Sequence, residues 1–179
     1  MKLRNKFILS ILTVLLIGCS SGFQYYPGSE DYRNQPLVFS KVVVSVDLKA
    51  EKEPSGYMTE EEIQNFMENH IINLIQNDKK ISYDADAIDG LTADIYVHYT
   101  RKFSYGNSLA RPVFNGKNSI RKGDAELGSY SYGDVTTGRS SIQSIWVSFK
   151  IMFGQWNFED EPSDFEIVAK AAFDDLKKF

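Results

Sequence analysis

The chain has 179 residues, 42% of them apolar and 13% aromatic, with a formal charge of −4 and a single cysteine. That length and apolar content fit one domain with a proper core, and a lone thiol leaves no disulfide within the chain. The acidic balance argues against a general role on nucleic acid or anionic headgroups, both of which need clustered positive charge.

Lys2, Arg4 and Lys6 precede an apolar run from Phe7 to Ile17, which ends in Leu16-Ile17-Gly18-Cys19. A basic start, an apolar middle too short to span a bilayer and a small residue before the cut are the parts of an export signal. The run resembles the lipobox of bacterial lipoproteins. The resemblance implies that the signal, residues 1–18, is cleaved and that Cys19 carries a diacylglycerol and an N-acyl chain, with no other cofactor. A thiolate is a strong nucleophile suited to that acceptor role, and two or three acyl chains anchor durably where one does not. Ser20 stands where an aspartate tends to hold such lipoproteins at the inner membrane. The resemblance thus implies the periplasmic face of the outer membrane of a Gram-negative bacterium, with the inner membrane as the alternative. Cleavage also removes Lys2, Arg4 and Lys6, leaving the remainder more acidic still.

Residues 19–36 are polar and turn-forming without a period, which predicts a lipidated tether, and residues 37–179 form a single periplasmic domain. From Leu37 to Leu48, the β-branched run around Val42, Val43, Val44 and Val46 predicts a central strand buried on both faces. Thr59 and Glu62 form a capping box that opens a helix from about Glu60 to Asn77. Ile63, Phe66, Met67, Ile71, Leu74 and Ile75 give it one apolar face, with His70 at the core edge.

Tyr83 to Gly90 alternates acids in the manner of a calcium loop, but counting from Asp84 puts Ile88 at the fifth position and Ile95 at the twelfth. That spacing fails the EF-hand pattern, and a solvated loop is expected. From Ala93 to Tyr105 the period is two, with Ala93, Ile95, Val97, Tyr99 and Phe103 on one side and Tyr96, His98 and Thr100 on a wet face.

Gly106 to Ser141 shifts to Gly, Ser, Asn, Arg and Tyr. Asn115-Gly116 predicts a two-residue hairpin turn, and Ser129-Tyr130-Ser131-Tyr132 alternates as a short edge strand. Arg111, Lys117, Arg121, Lys122 and Arg139 make this the one locally basic section, and with its tyrosines it is a candidate surface for an acidic polymer or a glycan. Ser141 to Phe153 reads as a long strand whose second face, carrying Trp146 and Met152, needs cover. Ser163 and Glu166 form a second capping box, opening a final helix to about Lys177.

These elements predict an α+β fold in two layers: a mostly antiparallel sheet of four or five strands with two helices packed on one face. The helix between the Val42 and Ile95 strands can act as a crossover, which would make that pair parallel. Too few segments qualify for a transmembrane barrel. The strand Lys41 to Leu48, the helix Glu60 to Asn77 and the strand Ala93-Asp94-Ile95-Tyr96-Val97 together resemble small outer-membrane lipoproteins of unknown function. What that resemblance implies is packing and an envelope role.

The expected function is a non-enzymatic binding or accessory component of the cell envelope, held to the membrane by its lipid anchor and meeting a protein or polymer partner, with no nucleic acid. Candidate partner-binding residues are Tyr96, His98, Arg111, Arg121, Lys122, Tyr130, Tyr132 and Arg139, beside Cys19 for lipidation. No catalytic or metal residues are assigned. The alternatives are a cell-wall or glycan hydrolase, for which Asp84 and Asp86 are candidate carboxylates, and a small lipid or metabolite carrier, which needs an apolar cavity between helices and sheet.

Overall fold

A computed structural model describes residues 23–32, 35–104, 106–137 and 141–179, the side chains of the last segment from 147 onward. Cys19 and Arg139 lie outside the described residues. The described residues form an α+β fold with a six-stranded mixed sheet and three α-helices, where four or five mostly antiparallel strands and two helices are expected from the sequence. Its elements are β1 (Gln24–Tyr25), β2 (Leu37–Ala50), α1 (Glu60–Gln76), β3 (Ile81–Tyr83), β4 (Leu91–Arg101), β5 (Val113–Lys122), β6 (Ala125–Val135), α2 (Ser141–Met152) and α3 (Glu161–Leu176). The sheet order is β1-β6-β5-β4-β2-β3. β2 is parallel to both β3 and β4, and the remaining pairs are antiparallel. The expected parallel pairing of the Val42 and Ile95 strands is present, with Val44 opposite Ile95.

β2 alternates buried and open residues along its length, so it is central but covered on one face only, unlike the two-sided burial its valines suggest. α1 covers that face with Ile63, Met67, Ile71 and Ile75, all fully buried, which contributes roughly 6–12 kcal/mol at about 1.5–3 kcal/mol per side chain. The Thr59–Glu62 capping box is complete: Glu62 N–H donates to Thr59 Oγ1 at 3.2 Å and Thr59 N–H donates to Glu62 Oε2 at 2.7 Å.

The acidic loop after β3 crosses the start of β2, since Tyr83 and Leu91 both register with Phe39. A bulge between Phe39 and Lys41 accommodates the crossing, and Gly90 approaches Ser40 so closely that a Cβ would lie 2.3 Å from the serine Cβ. Asp84 accepts the N–H of Asp86 at 3.1 Å, turning the loop.

Three further expectations are corrected. Asn115-Gly116 sits inside β5, opposite His98 and Val97, and the hairpin turns instead at Gly123-Asp124, where Gly123 has φ 56°. The later turn lets β5 pair along its full length and keeps Phe114, Asn118 and Ile120 on one buried face. Ser141–Met152 is a helix, not a strand. Its apolar residues recur at four-residue intervals, which satisfies period two and the helical period alike. Val147 and Ile151 pack on Tyr57, Leu109 and Trp156, while Phe149 stacks on Phe153 with ring centroids 6.3 Å apart. Gly154, with φ 67°, stops the helix, and Gln155 N–H donates back to Lys150 O at 2.7 Å. The last helix begins at Glu161 with Pro162 in its first turn, and Ser163 Oγ donates to Asp160 O at 2.7 Å rather than forming a capping box.

Part of the expected tether belongs to the fold. β1 pairs with β6 at Gly128 and Ser129, Tyr25 Oη donates to Lys178 O at 3.0 Å, and Phe23 meets Phe179 with ring centroids 5.5 Å apart.

An ion pair is buried where the end of β4, the loop before α1 and the start of α3 meet. Arg101 (2% exposed) donates from Nε to Oε1 of Glu161 (0% exposed) at 2.7 Å. Tyr99 Oη donates to the same oxygen at 3.0 Å, Met58 N–H donates to Oε2 at 3.2 Å, and Arg101 Nη2 donates to Met58 O at 2.6 Å. Burial pushes the Glu161 carboxyl upward, and Arg101 opposes that shift. Removing one partner strands the other charge, so Glu161→Gln is expected to lose about 3–5 kcal/mol in urea denaturation. The double replacement Arg101→Met with Glu161→Leu should lose clearly less; equal losses would show that the pair is not the source.

A second tie joins the ends of α1, β3 and α3. Asp78 accepts Lys177 Nζ at 2.6 Å and Lys80 N–H at 2.7 Å, which hold its carboxyl down at about 2. A depressed folded-state pKa gives stability above the ordinary carboxylate range that is lost as pH falls toward 2. Urea midpoints at pH 5 and pH 2.5 should therefore drop more in the wild type than in Asp78→Asn.

Candidate functional site

The open face of the sheet carries Tyr96 and His98 as expected, and β2 brings Asp47 beside them because Asp47 registers with His98. His98 Nδ1 and Asp47 Oδ2 are 2.7 Å apart, and Tyr96 Oη donates to the same oxygen at 3.3 Å. The bond to His98 holds the Asp47 carboxyl below its ordinary range. Thr100 Oγ1 lies 3.4 Å from His98 Nε2. The cluster is a cross-strand network whose polar groups answer one another.

The described cations of the basic section are likewise answered. Arg121 grips Asp94 with two guanidinium bonds, one of them from Nη2 at 3.0 Å. Lys122 Nζ donates to Asp89 Oδ1 at 2.9 Å, Lys117 pairs with Glu126 at 2.7 Å, and Arg111 Nη2 donates to Ser148 Oγ at 2.9 Å. These side chains do not form one cationic patch. Arg121 and Lys122 stand by the β5–β6 turn, whereas Arg111 meets α2. Asp84 and Asp86 are exposed on the crossing loop.

Tyr130 and Tyr132 lie elsewhere. They register with Asn118 and Gly116 of β5, and so share the face of the sheet that the helices cover. α3 packs on α1 and reaches β5, leaving a cleft between itself and β6 of about 260 Å³. Phe114, Asn118, Tyr130, Tyr132, Val168 and Asp175 are among its walls. Gly116 makes room for one of them, because a Cβ there would lie 2.7 Å from the Tyr132 hydroxyl and 2.0 Å from the Tyr96 carbonyl oxygen. Asn118 is wholly buried, and its Nδ2 donates to Asp175 Oδ2 at 3.1 Å. Lys178 Nζ donates to the other carboxylate oxygen at 2.6 Å. Asn118 Oδ1 and the Tyr132 hydroxyl are both buried without a hydrogen-bond partner among the described residues. Burial, with Asp175 adding to it, pushes the Tyr132 phenol up to about 12, so it stays neutral.

Of the sequence candidates, then, the fold groups Tyr96 with His98 and Tyr130 with Tyr132. Asn118, Asp175 and Asp47 go unnoticed in the sequence, as do Arg101 and Glu161. Asn118 alternates with Phe114 and Ile120, a pattern visible only when β5 is read as one unbroken strand. Asp175 falls on the stripe of Val168, Ala171 and Ala172, where an acid is out of place.

No protein-family model and no curated protein sequence matches the chain. Among solved structures, the PelC dodecamer from Paraburkholderia phytofirmans is 18% identical, with 66% of this chain and 89% of that one covered and a TM-score of 0.33. Rare lipoprotein B from Shewanella oneidensis is 9% identical, with coverage of 75% and 99% and a TM-score of 0.26. An uncharacterised protein is 8% identical, with coverage of 76% and 92% and a TM-score of 0.32. Likenesses this slight carry no functional argument.

A buried hydroxyl without a partner costs free energy that a phenyl ring does not. Tyr132→Phe is therefore expected to leave the fold unchanged and to raise stability by about 1 kcal/mol in chemical denaturation. A loss of that size instead would mean that the hydroxyl is bonded in the folded protein.

Proposed function

We propose that this chain is a lipid-anchored envelope lipoprotein whose domain acts as a non-enzymatic binding or accessory component, with the β6–α3 cleft as its binding site. The anchor rests on the lipobox-like run ending in Cys19. What carries the binding reading is the pair of buried polar atoms, Asn118 Oδ1 and the Tyr132 hydroxyl, left without partners among the described residues in a largely apolar recess. Buried polar groups are ordinarily satisfied, so two in one cleft suit a site that a ligand completes.

The chemistry of the cleft favours binding over hydrolysis. Asp175 is the carboxylate among its described lining residues, and Asp164, outside that lining, stands eleven residues away on α3, about 16 Å along the axis, against the roughly 5–9.5 Å that separates glycosidase carboxylates. Asp164 accepts a hydrogen bond from Thr137 at 2.7 Å, and Asp175 is held by Asn118 and Lys178. α2 adds a possible partner surface, since Phe149, Met152 and Phe153 are exposed beside Arg111.

The anchor also orients the domain. Four residues separate Cys19 from Phe23, a reach of at most about 14 Å, so a lipid on Cys19 holds the β1–β6 edge against the bilayer. Tyr25 registers through Gly128 and Ile120 to Ala93. From Ala93 to Arg101, β4 runs about 26 Å toward the end that carries α2, which sets α2 away from the membrane.

In cells, Cys19→Ser is expected to block both palmitate incorporation and cleavage of the signal. A fluorophore at position 24 should be quenched by nitroxide-labelled lipid, and one at position 153 should not. If Cys19→Ser is still processed and still sediments with membranes, the anchor reading falls.

A further inference from the structure

The cleft between β6 and α3 has a polar end and an apolar end, and the division sets the chemistry of what fits. At the polar end, the bond from Asn118 Nδ2 to Asp175 Oδ2 fixes which way the amide points. Oδ1 is thereby left as a buried acceptor at the cleft wall, without a partner among the described residues. Asp175 is not an open anion, because Lys178 and Asn118 each take one of its oxygens. The Tyr132 hydroxyl, able to donate or accept, is the second unanswered group. At the other end, Phe114, Val135, Ile167 and Val168 offer apolar surface, beside Thr136 and Thr137, the hydroxyl of Thr137 being already bonded to Asp164.

We propose that the cleft binds a small neutral or cationic amphiphile, with a ring or short alkyl body against Phe114, Ile167 and Val168 and a hydroxyl, amide or ammonium donor on Asn118 Oδ1 and the Tyr132 hydroxyl. This rests on the binding reading above and adds the class of ligand. Size agrees: a cavity of about 150 Å³ takes up a benzene ring, and the volume here, about 260 Å³, holds a ring with a polar head. Charge agrees too. A donor head meets an acceptor that lacks one, whereas a carboxylate head would set its lone pairs against Oδ1 and Asp175. The phenol of Tyr132, being neutral, places no negative charge at the site. Lys178 Nζ, already paired with Asp175, stands 5.6 Å from the Tyr130 ring centroid.

The test uses the intact protein in lipid nanodiscs and three probes sharing one ring: benzyl alcohol, benzylamine and benzoate. The readout is the ¹⁵N side-chain amide resonance of Asn118, with empty nanodiscs as the control for partitioning. Benzyl alcohol and benzylamine are expected to shift that resonance saturably and to bind at least tenfold tighter than benzoate. Ala171 is exposed on α3 at the cleft wall, so Ala171→Phe should fill the mouth and abolish the shift without disturbing the fold. Tyr132→Phe should weaken benzyl alcohol about tenfold. The proposal is overturned if no probe gives a saturable shift, if benzoate binds as tightly as the other two, or if binding survives Ala171→Phe. Palmitate labelling of Cys19 reports on the anchor independently, so loss of the ligand class and loss of the lipoprotein reading can be told apart.

Discussion

Three separate parts of the chain converge on one buried carboxylate. Glu161 has no exposure, and its two oxygens take bonds from Arg101, Tyr99 and the backbone of Met58. Desolvating two charges is expensive, and the attraction between them repays the cost only when geometry and further hydrogen bonds are good. Here the further bonds come from β4 and from the loop that precedes α1. The pair therefore works as a registration device: α3 starts at the one place where its first-turn acid meets the end of β4. The rings around it are fixed by the same contact, with Tyr99 stacked on Phe114 at 4.9 Å and edge-on to Phe165 at 5.1 Å.

With α3 located in this way, the rest of the helix layer follows. α1 lies over β2, and α3 packs on α1 and reaches β5. β6 is one strand too far for α3 to cover, and the gap is the cleft. The opposite face of the sheet needs no helix because its polar groups are paired across strands, as Asp47 with His98, Asp94 with Arg121 and Glu126 with Lys117. A face built of exposed ion pairs adds little stability, with a typical worth of about 0–1 kcal/mol each. It does stay soluble without cover.

How far the sequence discloses this fold depends on how local each signal is. The Thr59–Glu62 box and the apolar stripe of α1 are contained within one turn and one helix face, and both appear as read. The alternation from Ala93 to Tyr99 is equally local. Ser141–Met152 deceives because an apolar residue at every second place also recurs at every fourth, and only Gly154 marks the segment as a helix that has to stop. Asn115-Gly116 deceives because the glycine answers a tertiary demand, the close approach of Tyr132 and the Tyr96 carbonyl, and not a turn. The cleft is less legible again. Asn118 and Asp175 are 57 residues apart and meet only after β5 has been read as continuous and α3 has been started at Glu161. Arg101 carried a fainter signal: it occupies a core-facing place in the alternation of β4, where an arginine calls for a buried acid.

Two buried polar centres among the described residues differ in a way that bears on function. Around Glu161 the groups from three elements satisfy one another, which suits a joint meant to stay closed. Around Asn118 the amide is oriented by Asp175 and then left with a buried acceptor that has no partner among the described residues, beside a hydroxyl in the same condition. Leaving such groups unanswered lowers stability, and filling the gap between β6 and α3 with one larger side chain at Ala171 would be simple in chain terms. The fold instead keeps alanine at 171 and 172, which preserves the opening. A recess held open by small residues, with two unanswered polar atoms among its described walls, is the architecture of a receptor for a ligand with a donor head and an apolar body.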